Sequence, residues 1–479
     1  MNGTDKPWRI EQRGIECVHD TERHGNTREL FYIWFAANIG FLGLLYGAVI
    51  VSYHLTFWQG VMAGFFGSAS FFLVGILGVT GKDTGIPMLM AARRPFGPRG
   101  NVLPSFVSWV NLLGWETVVW VTATNAVLSL VQAVWNFRLG TLGTTVLFLC
   151  LGAGTFLIAL YGHATIVKVQ KWISLIFGIS TLAVIVELSV HHKVHMIPVA
   201  HPGSFAGAFL PAVSLIILGT GLSWVTTASD YTRYLPTHTS PVRITLATFF
   251  GAAIPLVAIV VSGMLLAPVF PGFAASPNPL GELGAGLPIF WVIVFWITAI
   301  VGLLTENILA IYSSGLTLQT MHVRIPRPWT AVVEFLITGS IGLYFLISNS
   351  SFINTFQTFL GLIGSTLAPW AGIMLMNILK PHMPNLKNGR SCTPESDDPE
   401  ITAVPAVQLK GGWNGFGLPA LSSWLLGIMT TLAFASSPMW NGPFAKSMIG
   451  TTQLGFLVGF LVSFLAYGVF LMSERLPRA

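Results

Sequence analysis

Two carboxylates within otherwise apolar stretches are the residues of this sequence best suited to chemistry. Glu116 lies in SWVNLLGWETVVW, and Glu306 lies in VGLLTENILAIYSSGL. A charged side chain at the centre of a membrane helix costs about 2.5 kcal/mol or more, so such residues usually serve substrates, ions or protons. Either carboxylate could exchange a proton, because burial favours the neutral acid. A structural role, with the carboxyl protonated or bonded to the backbone, is the alternative.

Polar and aromatic neighbours accompany both carboxylates. Helical spacing places Val301, Thr305 and Asn307 within two turns of Glu306. Trp115 precedes Glu116 and offers an aromatic face, worth about 1 to 3 kcal/mol where a nucleobase stacks. Packing or an interfacial position is the ordinary role of a tryptophan in a chain that has 16 of them.

Other charged and polar residues receive structural interpretations. Glu187 and Glu334 lie near predicted helix ends, where a long side chain can reach the interface. Asp230 and Arg233 form a polar cluster at the cytoplasmic end of the sixth predicted helix, where they anchor or gate. The four histidines between 191 and 201 lack a carboxylate or cysteine partner at zinc spacing and are interpreted as a solvated loop.

Two predicted helices are interrupted by glycines at comparable places. The first reads FAANIGFLGLLYG and contains Asn38 and Gly40, and the sixth reads ILGTGLSWVTTASDYTRYLP and contains Gly221 and Ser223. A pair of interrupted helices in corresponding halves indicates an inverted-repeat transporter, in which unwound backbone at the midplane binds substrate and ion. Close helix packing is the alternative role of these glycines.

The composition requires that these residues be held within a membrane. Of 479 residues, 53% are hydrophobic and 9% are charged, and the mean hydropathy is +0.71. A soluble domain carries about a quarter charged residues. The chain is therefore predicted to be a polytopic membrane protein, which excludes soluble, secreted and nucleic-acid-binding classes.

Twelve stretches are long and apolar enough to cross the bilayer. They are residues 31–53, 57–80, 103–134, 140–161, 169–190, 206–228, 243–268, 288–318, 328–347, 352–378, 414–435 and 450–473. With the N-terminus inside, 21 of the 24 Lys and Arg residues fall on the cytoplasmic side. Because cytoplasmic loops hold the excess of basic residues, both termini are predicted to be cytosolic and the protein to lie in the cytoplasmic membrane.

The predicted organisation follows from these spans. Residues 1–30 form a cytosolic tail, 31–190 hold helices one to five as a first repeat, and 206–378 hold helices six to ten as a second repeat. Residues 379–413 form a cytosolic loop, 414–473 hold two further helices, and 474–479 form a cytosolic tail. No P-loop, HExxH or GxSxG pattern is present, so no enzymatic activity and no cofactor are predicted.

Four segments, in order along nearly the whole chain, resemble the purine-cytosine permease branch of the nucleobase:cation symporter family. They are IEQRGIECVHDTERHGNTRELFYIWFAANIG at the N-terminus, GW in helix three, ASDYTRYLP in helix six and YSSGLTLQ in helix eight. The resemblance implies an all-helical LeuT-type fold, a five-plus-five inverted repeat with two extra C-terminal helices. It also implies alternating access, with substrate and coupling cation bound near the midplane.

Site residues are carried over from this resemblance position by position. Trp115 matches the family's stacking aromatic, Ser223 matches a polar contact, and Asn38 matches the polar position at the first break. Gly221 falls where some relatives have a second aromatic, and Glu306 with Asn307 falls where relatives place amides that bond the base. A sodium-type site would use the Thr305 hydroxyl and the Val301 backbone, so the coupling ion is sodium or a proton, the latter carried by Glu116 or Glu306.

Two departures from the family pattern bear on the substrate. Val119 and Ala310 stand where many or some relatives have amides, so the carboxylates are expected to make bonds that amides make elsewhere. The predicted function is import of cytosine, a purine or a related small heterocycle by cation symport. Allantoin, hydantoins, uracil and vitamin precursors are alternative substrates, and a channel or a non-transporting membrane sensor or enzyme is the alternative of another class.

Overall fold

The computed structural model describes residues 6–191, 202–270, 288–348, 352–379, 414–436 and 440–473. The predicted histidine loop from 192 to 201 and the polar loop from 380 to 413 lie outside these residues, as does the C-terminal tail from 474. Within the described residues the architecture is built from α-helices joined by short connections.

The first half of the chain contains eight helices. They are α1 (Thr27–Ala37), α2 (Leu42–Ser52), α3 (Phe57–Ser68), α4 (Ser70–Thr84), α5 (Met88–Phe96), α6 (Val102–Trp135), α7 (Thr141–Tyr161) and α8 (His163–His191). Side chains of the preceding residues cap several of them: Asn26 accepts the Arg28 N–H at the start of α1, and Thr56 accepts the Gln59 N–H at the start of α3. Such caps satisfy backbone groups that the first turn leaves unbonded.

The second half contains eight further helices. They are α9 (Leu210–Gly219), α10 (Pro241–Leu266), α11 (Ile289–Thr320), α12 (Arg327–Ser348), α13 (Phe352–Leu379), α14 (Leu418–Phe434), α15 (Met448–Thr451) and α16 (Gly455–Ser473). A short 3-10 helix, Gly221–Thr227, continues the path of α9. Proline at the first positions of α10 and α14 suits helix starts, because the N–H that it lacks is unbonded there.

The helices agree with the multi-pass architecture that the hydropathy predicts. In the described part of the chain, nine helices are long and apolar enough to span a bilayer, or ten when α1 and α2 count as one bent span. Two shorter apolar stretches are the part of α13 from Ile363 to Leu379 and the helix α14, Leu418–Phe434. The exact number of twelve and the inverted repeat stay predictions.

The interrupted elements lie at the centre of the molecule. Helix α11 packs against α6, α8, α7 and α1, while α10 covers α1, α2 and α4. Helices α13, α14 and α16 pack mainly on one another. The carboxylate-bearing helices α6 and α11 are therefore neighbours along their length, and both face the interior.

The prediction for Glu334 is wrong. Its carboxyl is 0% exposed and lies seven residues inside α12, so it does not reach the interface. The face that a helix turns inward depends on its neighbours, which the apolar sequence around Glu334 does not specify. Glu334 therefore joins Glu116 as a buried carboxyl.

The segment from Lys6 to Asn26 lies against the helix ends instead of extending into solvent. Glu11 and Arg23 are each 6% exposed. The Trp8 N–H donates to Thr165 at 2.9 Å, and Arg23 donates to the Lys82 carbonyl. Burial lowers the pKa of the Arg23 guanidinium, and the nearby carboxylates of Asp20 and Asp83 oppose that shift.

Candidate functional site

Helices α1 and α2 are two halves of one interrupted span. They meet at an angle of 58° across the residues between Ala37 and Leu42. The Asn38 side chain caps α1 by donating from Nδ2 to the Trp34 carbonyl at 2.8 Å. Backbone groups at such a break lie outside helical bonding, which a membrane protein tolerates where they line a cavity.

A second break lies opposite the first. Helix α9 ends at Gly219, and Thr220 leaves helical geometry with φ −131° and ψ −105° before the 3-10 helix begins. The Tyr46 hydroxyl of α2 donates to the Gly219 carbonyl at 3.0 Å. The two interruptions that the sequence predicts are therefore both present, and Tyr46 joins them.

Glycine brings the first break into direct contact with α11. A Cβ at Gly302 would lie 2.8 Å from the Gly40 Cα and 3.1 Å from the Ile39 carbonyl oxygen. A Cβ at Gly40 would lie 3.7 Å from Glu306 Oε2. The backbones of α11 and of the break thus touch beside Glu306, and at Gly302 the absence of a side chain allows this approach.

Replacement of Gly302 by Val is expected to abolish uptake, because its side chain would push the break away from α11. Overpacking a tight contact typically costs about 1 to 3 kcal/mol. Gly154→Val is the matched control, because a Cβ at Gly154 meets nothing within 4 Å. Substrate uptake at equal amounts of folded protein measures the effect. Equal uptake by the two variants would contradict the role given to this contact.

A small cavity lies between the two breaks. Its volume is about 20 Å³, enough for about one water molecule. Its wall combines broken backbone, polar groups and two aromatic side chains: Ala37, Asn38, Gly40, Leu42, Gly43, Tyr46, Gly219, Thr220, Trp224, Leu256 and Glu306. In this conformation the site is closed, so a planar heterocycle enters only when the surrounding helices separate.

Trp224 is the tryptophan that lines this cavity, and it is absent from the residues that the sequence predicts for the site. It lies in the 3-10 helix, is 7% exposed, and packs edge-on against Trp34 with ring centroids 5.6 Å apart. The signal available in the sequence is its position in GLSW, immediately after the predicted contact Ser223. Tyr46 was missed for the same reason, since hydropathy alone treats both as apolar wall residues.

The Thr305 hydroxyl lies among carbonyl oxygens from two helices. It is 2.7 Å from the Gly302 carbonyl, 3.1 Å from that of Val301, and 3.2 Å from that of Ala36 in α1. The Gln170 amide of α8 donates to the Thr305 carbonyl at 3.2 Å. Oxygen donors from backbone and hydroxyl groups suit a hard cation. The described residues contain no group of three His, Cys, Asp or Glu side chains that could hold a metal.

Trp115, Gly221 and Ser223 do not line the cavity. The Trp115 ring packs edge-on against Phe359 of α13, with centroids 5.6 Å apart. The Ser223 hydroxyl donates to the Leu218 carbonyl at 2.8 Å, and a Cβ at Gly221 would collide with Ser70.

Asn111, one turn before Trp115, donates to the Ser223 carbonyl at 3.3 Å. This amide ties α6, which carries Trp115, to the 3-10 helix at the second break, which carries Trp224. Asn111 is a further residue that sequence reasoning missed.

Asn307 and Glu116 point elsewhere. Asn307 is fully buried and donates from Nδ2 to the Thr155 hydroxyl of α7 at 3.3 Å. Glu116 is 0% exposed and faces Glu334 and Ser314. The structure therefore brings Asn38 and Glu306 together at the cavity, with Thr305 directly before Glu306 and Val301 about one turn before Thr305, and separates Asn307 and Glu116 from it.

The chain is similar to known permeases along most of its length. A family model for permeases of cytosine/purines, uracil, thiamine and allantoin matches residues 17–387. The chain is 24% identical over 486 residues to YxlA of Bacillus subtilis strain 168, which is named provisionally as a purine-cytosine permease; the match covers 98% of this chain and 97% of the relative.

Two solved structures share the fold. Mhp1, a nucleobase-cation-symport-1 family transporter in a closed conformation with bromovinylhydantoin bound, matches with a TM-score of 0.70 and 18% identity over 99% of this chain and 96% of its own. A Na⁺-coupled sialic acid symporter in a substrate-bound outward-open state matches with a TM-score of 0.62 and 11% identity, over 96% of this chain and 92% of its own.

Proposed function

We propose, since this chain belongs to the family of permeases for cytosine/purines, uracil, thiamine and allantoin, that it imports cytosine or a purine together with a cation. The chain is a multi-pass secondary transporter of nucleobases or related heterocycles with a LeuT-type fold, and it is not an enzyme. The proposal that cytosine or a purine is the substrate rests on the cavity between the two helix breaks. There a carboxylate, an amide and an indole face one small space.

The chemistry of the cavity wall suits a planar ring with N–H donors. The Trp224 indole supplies a face for stacking. Glu306 accepts hydrogen bonds when ionised, and the Asn38 amide oxygen is a second acceptor. Cytosine, adenine and guanine each present an exocyclic amino group, so their donor edges match this set of acceptors. Uracil, allantoin and vitamin precursors remain alternative substrates, because one scaffold serves several heterocycles in this family.

Trp115, Gly221 and Ser223 form the adjoining wall in this proposal, and Asn307 supports it from behind. A ring that enters from the side of α6 would contact Trp115 before it reaches Trp224. Gly221 lies against Ser70, where a Cβ would collide, and Asn307 holds α11 against α7 through Thr155. The two indoles would then hold the ring from α6 and from the second break.

A proton is the proposed coupling ion. The Thr305 hydroxyl has one proton to donate and lies 2.7 Å from the Gly302 carbonyl, so this hydroxyl is hydrogen-bonded without a cation. Glu116 and Glu306 are carboxyls able to carry a proton. Sodium is the second candidate, favoured by the oxygen donors at Thr305 and Val301.

Uptake by cells that express the full chain tests both parts. We expect labelled cytosine, adenine or guanine to accumulate, a protonophore to abolish accumulation, and replacement of sodium by choline to leave it unchanged. Dependence on sodium would instead assign coupling to the Thr305 position, and Thr305→Val would then abolish it. If none of cytosine, adenine, guanine, hypoxanthine, uracil and allantoin enters the cells, the nucleobase assignment fails.

The orientation is part of the same proposal. Both termini are placed in the cytosol and the protein in the plasma membrane, because of the basic residues on one side. In this orientation, the cytoplasmic side holds the segment from Lys6 to Asn26, the end of α11 and the end of the 3-10 helix. Helix α7 begins on the outer side. Labelling of single cysteines by a membrane-impermeant reagent in whole cells tests this arrangement.

A further inference from the structure

Two carboxyl groups that the substrate cavity does not use meet between α6, α11 and α12. Glu116 of α6 and Glu334 of α12 are each 0% exposed and close enough to interact electrostatically. The Ser314 hydroxyl of α11, also 0% exposed, lies beside both. The Trp109 indole of α6 lies beside Glu334. We call Glu116, Glu334 and Ser314 the carboxyl cluster.

The polar atoms of the carboxyl cluster lack hydrogen-bond partners. Within the described part of the chain, no group satisfies hydrogen-bond geometry with either carboxyl oxygen of Glu116 or of Glu334. The same is true of the Ser314 hydroxyl. Buried polar side chains in folded proteins are nearly always bonded, and exceptions mark functional sites or a bound ligand. The Ser314 hydroxyl can donate to either carboxyl or accept from a protonated one.

The charges around the cluster determine how many protons it holds. Among the ionisable groups on the surrounding elements, Arg327 at the start of α12 interacts with Glu334. Helices α7 and α13 carry no charged residue within their bounds, and the Glu306 carboxyl of α11 lies at the cavity, about two turns from Ser314. One guanidinium balances one carboxylate, and two neighbouring carboxylates do not both ionise while they stay buried together. The cluster is therefore built for one proton.

In the proposed orientation, Ser314 and Glu334 lie nearer the cytoplasmic helix ends than Glu306 does, whereas Glu116, 14 residues after the start of α6, lies about as deep as Glu306. Ser314 is six residues before the end of α11 and Glu334 is seven residues after the start of α12, distances of about 9 and 10 Å along the helices. Glu306 is eight residues deeper than Ser314, about 12 Å along α11. A group about 9 to 10 Å from the helix end, such as Glu334, can reach cytoplasmic water when α6 and α12 separate slightly.

We propose that Glu116 and Glu334 form a proton-binding site, separate from the substrate cavity, that carries the coupling proton and releases it to the cytoplasm. This inference rests on the proposed function, namely symport of a heterocycle with a cation. Protonation forms one O–H bond on one carboxylate, and release to water breaks it. When both carboxyls are ionised, their repulsion favours separation of α6 from α12. Protonation favours the closed cytoplasmic side, and linkage couples it to substrate occupancy.

The experiment compares two transport modes of full-length protein in proteoliposomes with labelled cytosine and adenine. Accumulation is driven by an imposed pH gradient, and counterflow exchange proceeds without net proton movement. We expect Glu116→Gln and Glu334→Gln each to lower gradient-driven accumulation about tenfold or more while counterflow stays near the wild-type rate. Glutamine keeps the shape of glutamate, and the two variants test one site from two helices. Glu187→Gln is the matched control and is expected to retain both modes.

A direct measurement of protons provides the second test. In weakly buffered detergent solution with a pH indicator, cytosine binding to the wild type is expected to change the number of bound protons, and each Gln variant is expected to show no change at saturating cytosine.

Three results overturn the inference: gradient-driven accumulation at the wild-type level in both variants, loss of counterflow together with accumulation in both, or wild-type accumulation driven by sodium alone. Absence of counterflow for every base in the wild type would instead remove the proposed function itself.

Discussion

The Glu306→Gln variant is expected to bind cytosine about 10 to 100 times more weakly than the wild type, because a hydrogen bond to a charged group typically contributes about 1.5 to 3 kcal/mol. Glu306 is the carboxylate that lines the cavity between the helix breaks, next to Gly40 and Trp224. An ionised carboxylate accepts only, whereas an amide both donates and accepts. The measurement is the KM for uptake of labelled cytosine, with the Kd of purified protein as a second value.

Substrate preference gives a sharper form of the same prediction. Cytosine presents an amino donor where uracil presents a carbonyl acceptor, so Gln at position 306 removes the mismatch with uracil while it weakens the bond to cytosine. The ratio of cytosine to uracil uptake is therefore expected to fall about tenfold or more. Glu187→Gln controls for a carboxyl-to-amide change away from the cavity. An unchanged ratio, at normal amounts of folded protein, would show that Glu306 does not contact the base.

Much of the fold is determined by signals that a single sequence carries. Runs of about 20 apolar residues and the concentration of Lys and Arg on one side define most membrane helices without any tertiary information. The glycines near Asn38 and Gly221 indicate the two breaks, because a break needs residues that tolerate irregular backbone. Both breaks are found where the sequence predicts them.

The direction of individual side chains is what the sequence alone leaves open. Trp115 and Glu116 are adjacent, so on a helix they point about 100° apart and meet different neighbours. In the structure Trp115 faces α13, whereas Glu116 faces α12. The position of a residue along a span predicts its depth. Its azimuth depends on which helices surround it.

Long-range contacts explain the remaining omissions. Trp224 is one of 16 tryptophans, and what distinguishes it is its position beside a break that also contacts α1 and α11. The burial of Glu334 and the docking of Glu11 likewise depend on elements hundreds of residues away in the chain. Local periodicity contains no information about such pairs, so the predicted polar tail from 1 to 30 gives no hint of a buried Glu11.

Arg233→Ala is expected to destabilise the protein by about 3 to 5 kcal/mol, because removal of one partner leaves a buried carboxylate unpaired. Arg233 is 0% exposed and Glu11 is 6% exposed, with Nη2 3.5 Å from Glu11 Oε1. The same guanidinium donates to the Gly14 carbonyl at 2.7 Å and to the Tyr312 hydroxyl of α11 at 3.0 Å. Arg233 therefore ties the N-terminal segment to the turns that follow the 3-10 helix Gly221–Thr227 and to α11.

In the proposed orientation, the ion pair between Glu11 and Arg233 lies on the cytoplasmic side of the molecule. Glu11 also accepts the His163 N–H of α8 at 3.0 Å, so four separate parts of the chain converge on one ion pair. Because its loss frees the ends of α8 and α11 to separate, Arg233→Ala is expected to lower uptake as well as stability. The midpoint of thermal unfolding in detergent measures stability, and uptake normalised to folded protein measures transport.

A double-mutant cycle separates the ion pair from simple packing. Glu11→Met and Arg233→Met are each expected to destabilise the protein, whereas the double variant should recover much of the loss, because an apolar pair leaves no unpaired buried charge. Arg138→Ala removes an exposed arginine and is expected to change stability by less than about 0.5 kcal/mol. Strictly additive losses in the double variant would show that the two charges do not interact. If the double variant recovers stability but not uptake, transport requires the two charges themselves. The contact between the two side chains is then not sufficient for opening and closing of the cytoplasmic side.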